Sequence, residues 1–97
     1  MLTLNELQIY NEEMNRDDTL YYVDFHSYKK ERSGLIETSG DYFLYGSNDL
    51  NDVKEFVEKN YNKMSSGQLV EMSIMQAVRI YKNNIEYEEV ETYTNIQ

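Results

Sequence analysis

Apolar positions along this chain recur with two periods, and the switches between them mark out the elements. Leu4, Leu7, Tyr10 and Met14 fall at helical spacing. Thr3 and Glu6 stand at capping-box spacing, with Leu2 and Leu7 at the staple positions on either side of that cap. The pattern predicts a helix from about Leu4 to Asn15, ended by the polar run to Asp18. From Thr19 to Tyr28 the period drops to two. Tyr21, Val23 and Phe25 alternate with Tyr22, Asp24 and His26, as in a strand. Lys29 to Gly34 reads as a basic loop. A second extended stretch covers Leu35 to Tyr45, interrupted at Ser39-Gly40 by a bulge or a tight turn. The preferred reading is one long hairpin with the first strand, and the alternative is three short strands.

Gly46, Ser47 and Asn48 break the sheet, and Asp49 or a neighbour caps a second helix. Leu50, Val53, Val57, Tyr61 and Met64 repeat every three or four residues, and Phe56 widens the stripe. Ser65, Ser66 and Gly67 end it. Residues 68–82 fit a helix face (Val70, Ile74, Ala77, Val78, Tyr81) nearly as well as a strand face (Val70, Met72, Ile74, Val78, Ile80). Asn83-Asn84 decides for strand, because Asn tolerates the positive φ of a type I′ hairpin turn. Such a turn sets Ile80 opposite Tyr87 and Arg79 opposite Glu88. The order is then α-β-β-α-β-β, an α+β domain with two helices packed on one face of an antiparallel sheet. The expected core joins Val53, Phe56, Val57 and Tyr61 to Val23, Phe25 and Phe43.

The length, 97 residues, suits one domain over residues 1–97, with a frayed C-terminal end. Low hydrophobicity with high net charge is the signature of disorder. Ten tyrosines, three phenylalanines and the regular apolar periods argue for an ordered chain instead. There is no cysteine, hence no disulfide framework. The segment from Met1 to Glu6 lacks the basic and apolar regions of a signal peptide, and no apolar run approaches membrane-spanning length. A cytoplasmic protein is expected.

Candidate chemistry is sparse. His26 is the only histidine, set near Asp24 and Tyr28 on the polar strand face, and reads as a surface histidine. Zinc would need several Cys or His ligands. Asn48, Asp49, Asn51 and Asp52 lack the ligand spacing of a calcium loop and are explained by helix capping. No phosphate loop or nucleophile motif is present. The expectation is a protein that is not an enzyme, with no catalytic residue, no metal and no cofactor.

What changes the picture is charge. Eighteen acidic residues against nine basic ones give a net charge of −9 and a pI of about 4.4. A negative potential repels nucleic acid and anionic membranes and attracts basic proteins. Residues 1–18 hold five acids and one base, and residues 86–97 hold four acids and no base. Glu12, Glu13, Asp17 and Asp18, together with Glu86, Tyr87, Glu88, Glu89, Glu91 and Tyr93, are therefore the candidate protein-binding residues. Tyrosine supplies anchoring area beside carboxylates that steer the encounter. The competing reading gives these acids to solubility and to protection of a sheet edge. The basic turn Lys29-Lys30-Glu31-Arg32 is too small to bind nucleic acid against the overall charge.

In size, charge and lack of catalytic motifs the chain resembles the small acidic inhibitors carried by phages and mobile elements, namely anti-restriction, anti-CRISPR and uracil-glycosylase-inhibitor proteins. That resemblance implies carboxylates that imitate phosphates and occupy the basic groove of a nucleic-acid-binding protein. The alternative is an interaction module, such as an adaptor, an immunity-type protein or a homodimer, with apolar contacts and incidental charge.

Overall fold

The computed structural model describes residues 1–40 and 42–96. Two helices and five antiparallel strands follow in the order α1 (Leu4–Met14), β1 (Tyr21–Glu31), β2 (Gly34–Glu37), β3 (Tyr42–Ser47), α2 (Leu50–Met64), β4 (Leu69–Tyr81) and β5 (Asn84–Thr94). This is the α+β class, with both helices contacting the sheet. The strands lie in the order β2-β1-β4-β5, and β3 also pairs with β1.

The helices begin where their caps dictate. The Thr3 hydroxyl accepts from the Glu6 amide at 3.2 Å, and the Asp49 carboxylate accepts from the Asn51 amide at 2.9 Å. Asn15 closes α1 in the left-handed conformation, φ 52°. Strand β4 settles the ambiguous segment as extended chain from Leu69 to Tyr81.

Two apolar clusters hold the domain. Val53 and Val57 of α2 pack on Val23 and Phe25 of β1 and on Val70, Met72 and Ile74 of β4. Leu7 and Tyr10 of α1 pack with Leu20 and Ala77, and Ile80, Ile85 and Tyr87 close the sides. Tyr21 touches both clusters. Full burial of a Val or Leu side chain contributes about 1.5–3 kcal/mol.

Four expectations are corrected. The first strand does not stop at Tyr28. It continues to Glu31, so the basic loop shrinks to a two-residue turn at Arg32-Ser33, with Glu31 paired to Gly34. The segment after it forms two strands, β2 and β3, which makes five strands in all. Both run antiparallel along the same side of β1. Asp41, within the expected extended stretch, lies outside the described residues.

Phe43 is not in the core but 58% exposed. Val23 pairs with Tyr45 while Asp24 pairs with Phe43, so Leu44 is an extra residue in the ladder. That bulge lets both Leu44 and Tyr45 pack toward α2, where Tyr45 stacks on Phe56 at 4.3 Å. Phe43 is thrown to the other side, where its ring stacks on Tyr22 at 5.1 Å.

The last hairpin is present, but its turn is Lys82-Asn83, with φ 50° and 64°. Ile80 therefore pairs with Ile85 and Arg79 with Glu86. The earlier turn matches apolar to apolar and lets Arg79 form an ion pair with Glu86. Those gains offset the strain of a lysine at positive φ, about 1–2 kcal/mol.

The turn position can be checked by two glycine substitutions. Lys82→Gly relieves left-handed strain and leaves stability unchanged or raises it by about 1 kcal/mol. Asn84→Gly weakens a strand residue and costs about 0.5–1 kcal/mol. Urea titration giving the reverse order would return the turn to Asn83-Asn84.

Candidate functional site

Strand alternation sends one side of β1 and β4 to α2. On the other side α1 covers only the end at Leu20 and Ala77, so the two helices do not share one face as expected, and the rows from Tyr22 to Tyr28 are left uncovered. The pairing places Glu89, Met75 and Tyr22 in one row across the sheet. Thr92, Ser73, Asp24 and Phe43 form the next. Glu71 and His26 form a third, and Leu69, Tyr28 and Glu37 a fourth. Four carboxylates therefore share this surface with Tyr22, Tyr28 and Phe43, and none of these rows contains a lysine or arginine.

The aromatic end is ordered by ring contacts. Tyr22 stacks on Phe43 and meets Tyr87 edge-on at 4.8 Å. A Cβ on Gly46 would come within 2.5 Å of the Phe43 ring, so the ring lies directly against that backbone. The Tyr87 hydroxyl donates to the Thr19 carbonyl at 2.8 Å. Burial, assisted by the charge of Asp18, pushes the Tyr87 phenol up to about 12.

The acidic end is organised around His26. Its Nε2 lies 2.9 Å from Asp24 Oδ2, and its Nδ1 pairs with Glu37 of β2. Glu71 of β4 stands directly opposite, and the Tyr28 ring lies beside it at 6.4 Å. Burial alone would lower the imidazole pKa. Hydrogen bonds to Asp24 and Glu37, with the charge of both carboxylates, outweigh it and raise the pKa above the usual 6.5. An imidazolium held between two carboxylates fastens β2 to β1. At the β5 border, Glu89 accepts from the Ser73 hydroxyl at 3.3 Å and from the Thr92 hydroxyl.

The ten residues expected to form one negative face are not brought into one plane. Pairing shifts beside Met75 and Arg79 make Val90 and Val78 extra residues in the β4–β5 ladder. The Val90 bulge puts Glu89 beside Met75 on the uncovered face and Glu91 opposite Ile74 on the α2 side. Glu88, opposite Gln76, also falls on the α2 side. Tyr93 packs into the α2 cluster near Tyr61, at 5.8 Å. Glu86 is engaged with Arg79. Glu12 and Glu13 are exposed on α1.

Glu12, Asp17 and Asp18 line an open polar cleft of about 480 Å³ with Arg16, and Arg16 Nε reaches Asp18 at 2.7 Å. That cleft shares Thr19 with the Tyr87 contact, so the two acidic segments adjoin at one point. Sequence reasoning did not select Tyr22, Phe43, Asp24, Glu37 or Glu71 as site residues. The alternation of β1 gives Tyr22, Asp24 and His26 one side, but nothing local shows that no helix covers it.

Among the described residues no group of three or more His, Asp or Glu side chains is gathered as a metal would need. No described helix is long and apolar enough to cross a membrane. Neither a family model, a curated protein nor a solved structure matches this chain.

The histidine geometry predicts a pH dependence. The folded pKa lies above the unfolded one, so folding takes up a proton. The stabilisation is complete below about pH 6.5 and is lost as pH rises through the folded pKa. The urea midpoint of the wild type should fall between pH 5.5 and 8.5. In His26→Gln it should change little over that range, since this chain has no other histidine. Equal slopes in the two proteins would contradict the assignment.

Proposed function

We propose that this protein binds a basic protein surface, in the manner of an inhibitor that occupies the nucleic-acid groove of its target, as anti-restriction and anti-CRISPR proteins do. The observation that carries this reading is the uncovered sheet face. Asp24, Glu37, Glu71 and Glu89 lie there beside Tyr22 and the exposed ring of Phe43, with His26, paired to Asp24 and Glu37, as the basic residue in these rows and no lysine or arginine. Carboxylates steer a basic partner and speed the encounter. Aromatic rings supply contact area at low entropic cost once the surfaces meet. The exposed acids Glu12, Glu13, Glu88 and Glu91 extend the negative field beyond this face. The same field disfavours direct contact with nucleic acid.

The rival is an interaction module that docks through Phe43 and other exposed apolar side chains, with charge incidental. Salt and charge separate the two. The test uses a partner captured from the native host after nuclease treatment and then purified. Its association rate with the wild type should fall about tenfold or more between low and high salt. The variant with Glu12, Glu13, Glu88 and Glu91 all changed to Lys should associate correspondingly slowly while unfolding at a similar urea concentration. An association rate that neither salt nor the reversal alters assigns the apolar module instead.

A further inference from the structure

Strand β5 closes one side of the sheet, and among the described residues no strand lies beyond it. It is eleven residues long. Its central stretch, Glu88, Glu89, Val90 and Glu91, is exposed. Natural sheets commonly shorten, cover or charge such an edge, because its free N–H and C=O groups template another strand. Here the edge is long and uncovered, and it is protected by the bulge at Val90 and by charge of one sign. Between Asn84 and Thr94 there are four glutamates and no lysine or arginine.

That charge pattern selects the occupant. A second copy pairing antiparallel about the middle of β5 would set Glu88 to Glu91 against the same residues of its partner. Like charges directly opposite one another destabilise a strand pair. A strand bearing lysine or arginine meets the opposite situation.

The split of the acids over the two sides of the sheet has a meaning in this light. Glu89 projects on the uncovered face, and Glu88 and Glu91 on the α2 side. A flat basic surface reaches only one of these sets. An added strand sends successive side chains to opposite sides of the sheet, so its own side chains reach both sides.

We infer that β5 is a strand-addition site for an extended basic segment of a protein partner, which continues the sheet in the order β2-β1-β4-β5-partner. The inference rests on the proposed binding of a basic protein and adds the mode of contact. Backbone hydrogen bonds along β5 supply affinity. Glu88, Glu89 and Glu91 supply the preference for lysine and arginine over other side chains.

The test uses three synthetic nine-residue peptides and the full-length protein. The first alternates lysine and valine. The second has the same sequence with every backbone amide N-methylated, which keeps the charge and removes the N–H donors from both edges of the strand. The third replaces lysine by glutamate.

The first peptide should slow hydrogen exchange at those β5 amides that do not bond to β4, with shift changes concentrated on Glu86 to Thr94. The N-methylated peptide should bind at least tenfold more weakly, and the glutamate peptide should not bind. The wild-type protein alone should show β5 exchange independent of its concentration. The variant Glu88→Lys/Glu91→Lys should lose at least tenfold in affinity for the first peptide with unchanged exchange in β1 and β4.

Equal binding of the N-methylated peptide would overturn strand addition while leaving acidic recognition of a basic partner in place. Absence of binding by the first peptide would overturn it as well, and the salt series on the captured partner would still test the broader reading. Concentration-dependent protection of β5 in the protein alone would assign the edge to a second copy and overturn the basic occupant.

Discussion

Strand β1 is held on both sides at once, and the rest of the molecule follows from that constraint. Over Tyr21 to Phe25 it pairs with β3 on one side and β4 on the other. A strand fixed in two ladders cannot slip by one residue without turning every side chain to the wrong side. Val23 and Phe25 are thereby committed to α2, and Tyr22, Asp24 and His26 to the uncovered face. Core and candidate site are thus two outputs of one register. Beyond Phe25, β2 takes over the pairing, and the His26 contact with Glu37 fastens that second half of the arm.

The β4–β5 hairpin projects past this centre, and α1 anchors its far end. Leu7 and Tyr10 fill the space against Ala77, Ile80 and Ile85. Arg16 then ties the helix terminus to the hairpin turn, donating to the Asn83 carbonyl at 2.7 Å and to the Tyr10 hydroxyl at 3.1 Å. The Tyr10 hydroxyl donates to the same carbonyl. At the other end, the Asn95 amide group donates to the Gln68 carbonyl at 2.8 Å and accepts from the Val70 amide at 2.8 Å. With both ends secured, the middle of β5 keeps an ordered shape at the sheet edge without a covering element. An edge that is charged and supported at both ends is suited to meeting a partner.

Where period and caps agreed, the sequence was easy to read. Helix α2 repeats at three and four residues behind an aspartate cap, and it occupies the expected span from Leu50 to Met64. Bulges defeated the rest, because each adds a residue and reverses the phase of alternation. The extra Leu44 turned Phe43 out of the expected core. The extra Val78 made Ile74, Ala77, Val78 and Tyr81 imitate helical spacing inside a strand. The extra Val90 divided Glu89 from Glu91 and broke up the expected negative face. The turn was misplaced by one residue because Asn is the usual occupant of positive φ, whereas tertiary pairing of Arg79 with Glu86 put Lys82 there. Helix coverage of a sheet face is a long-range property, so the importance of Tyr22, Asp24 and His26 lay outside local pattern.

The central claim is that one register of β1 divides core from binding face. The natural absence of cysteine makes a direct measurement available. Single cysteines placed in turn at positions 22 to 27 can be reacted with a thiol reagent under native conditions, with rates normalised to the unfolded chain. The account predicts fast reaction at 22, 24 and 26 and strong protection at 23, 25 and 27. Protection at 22 and 24 with reaction at 23 and 25, or uniform reaction along the strand, would contradict it.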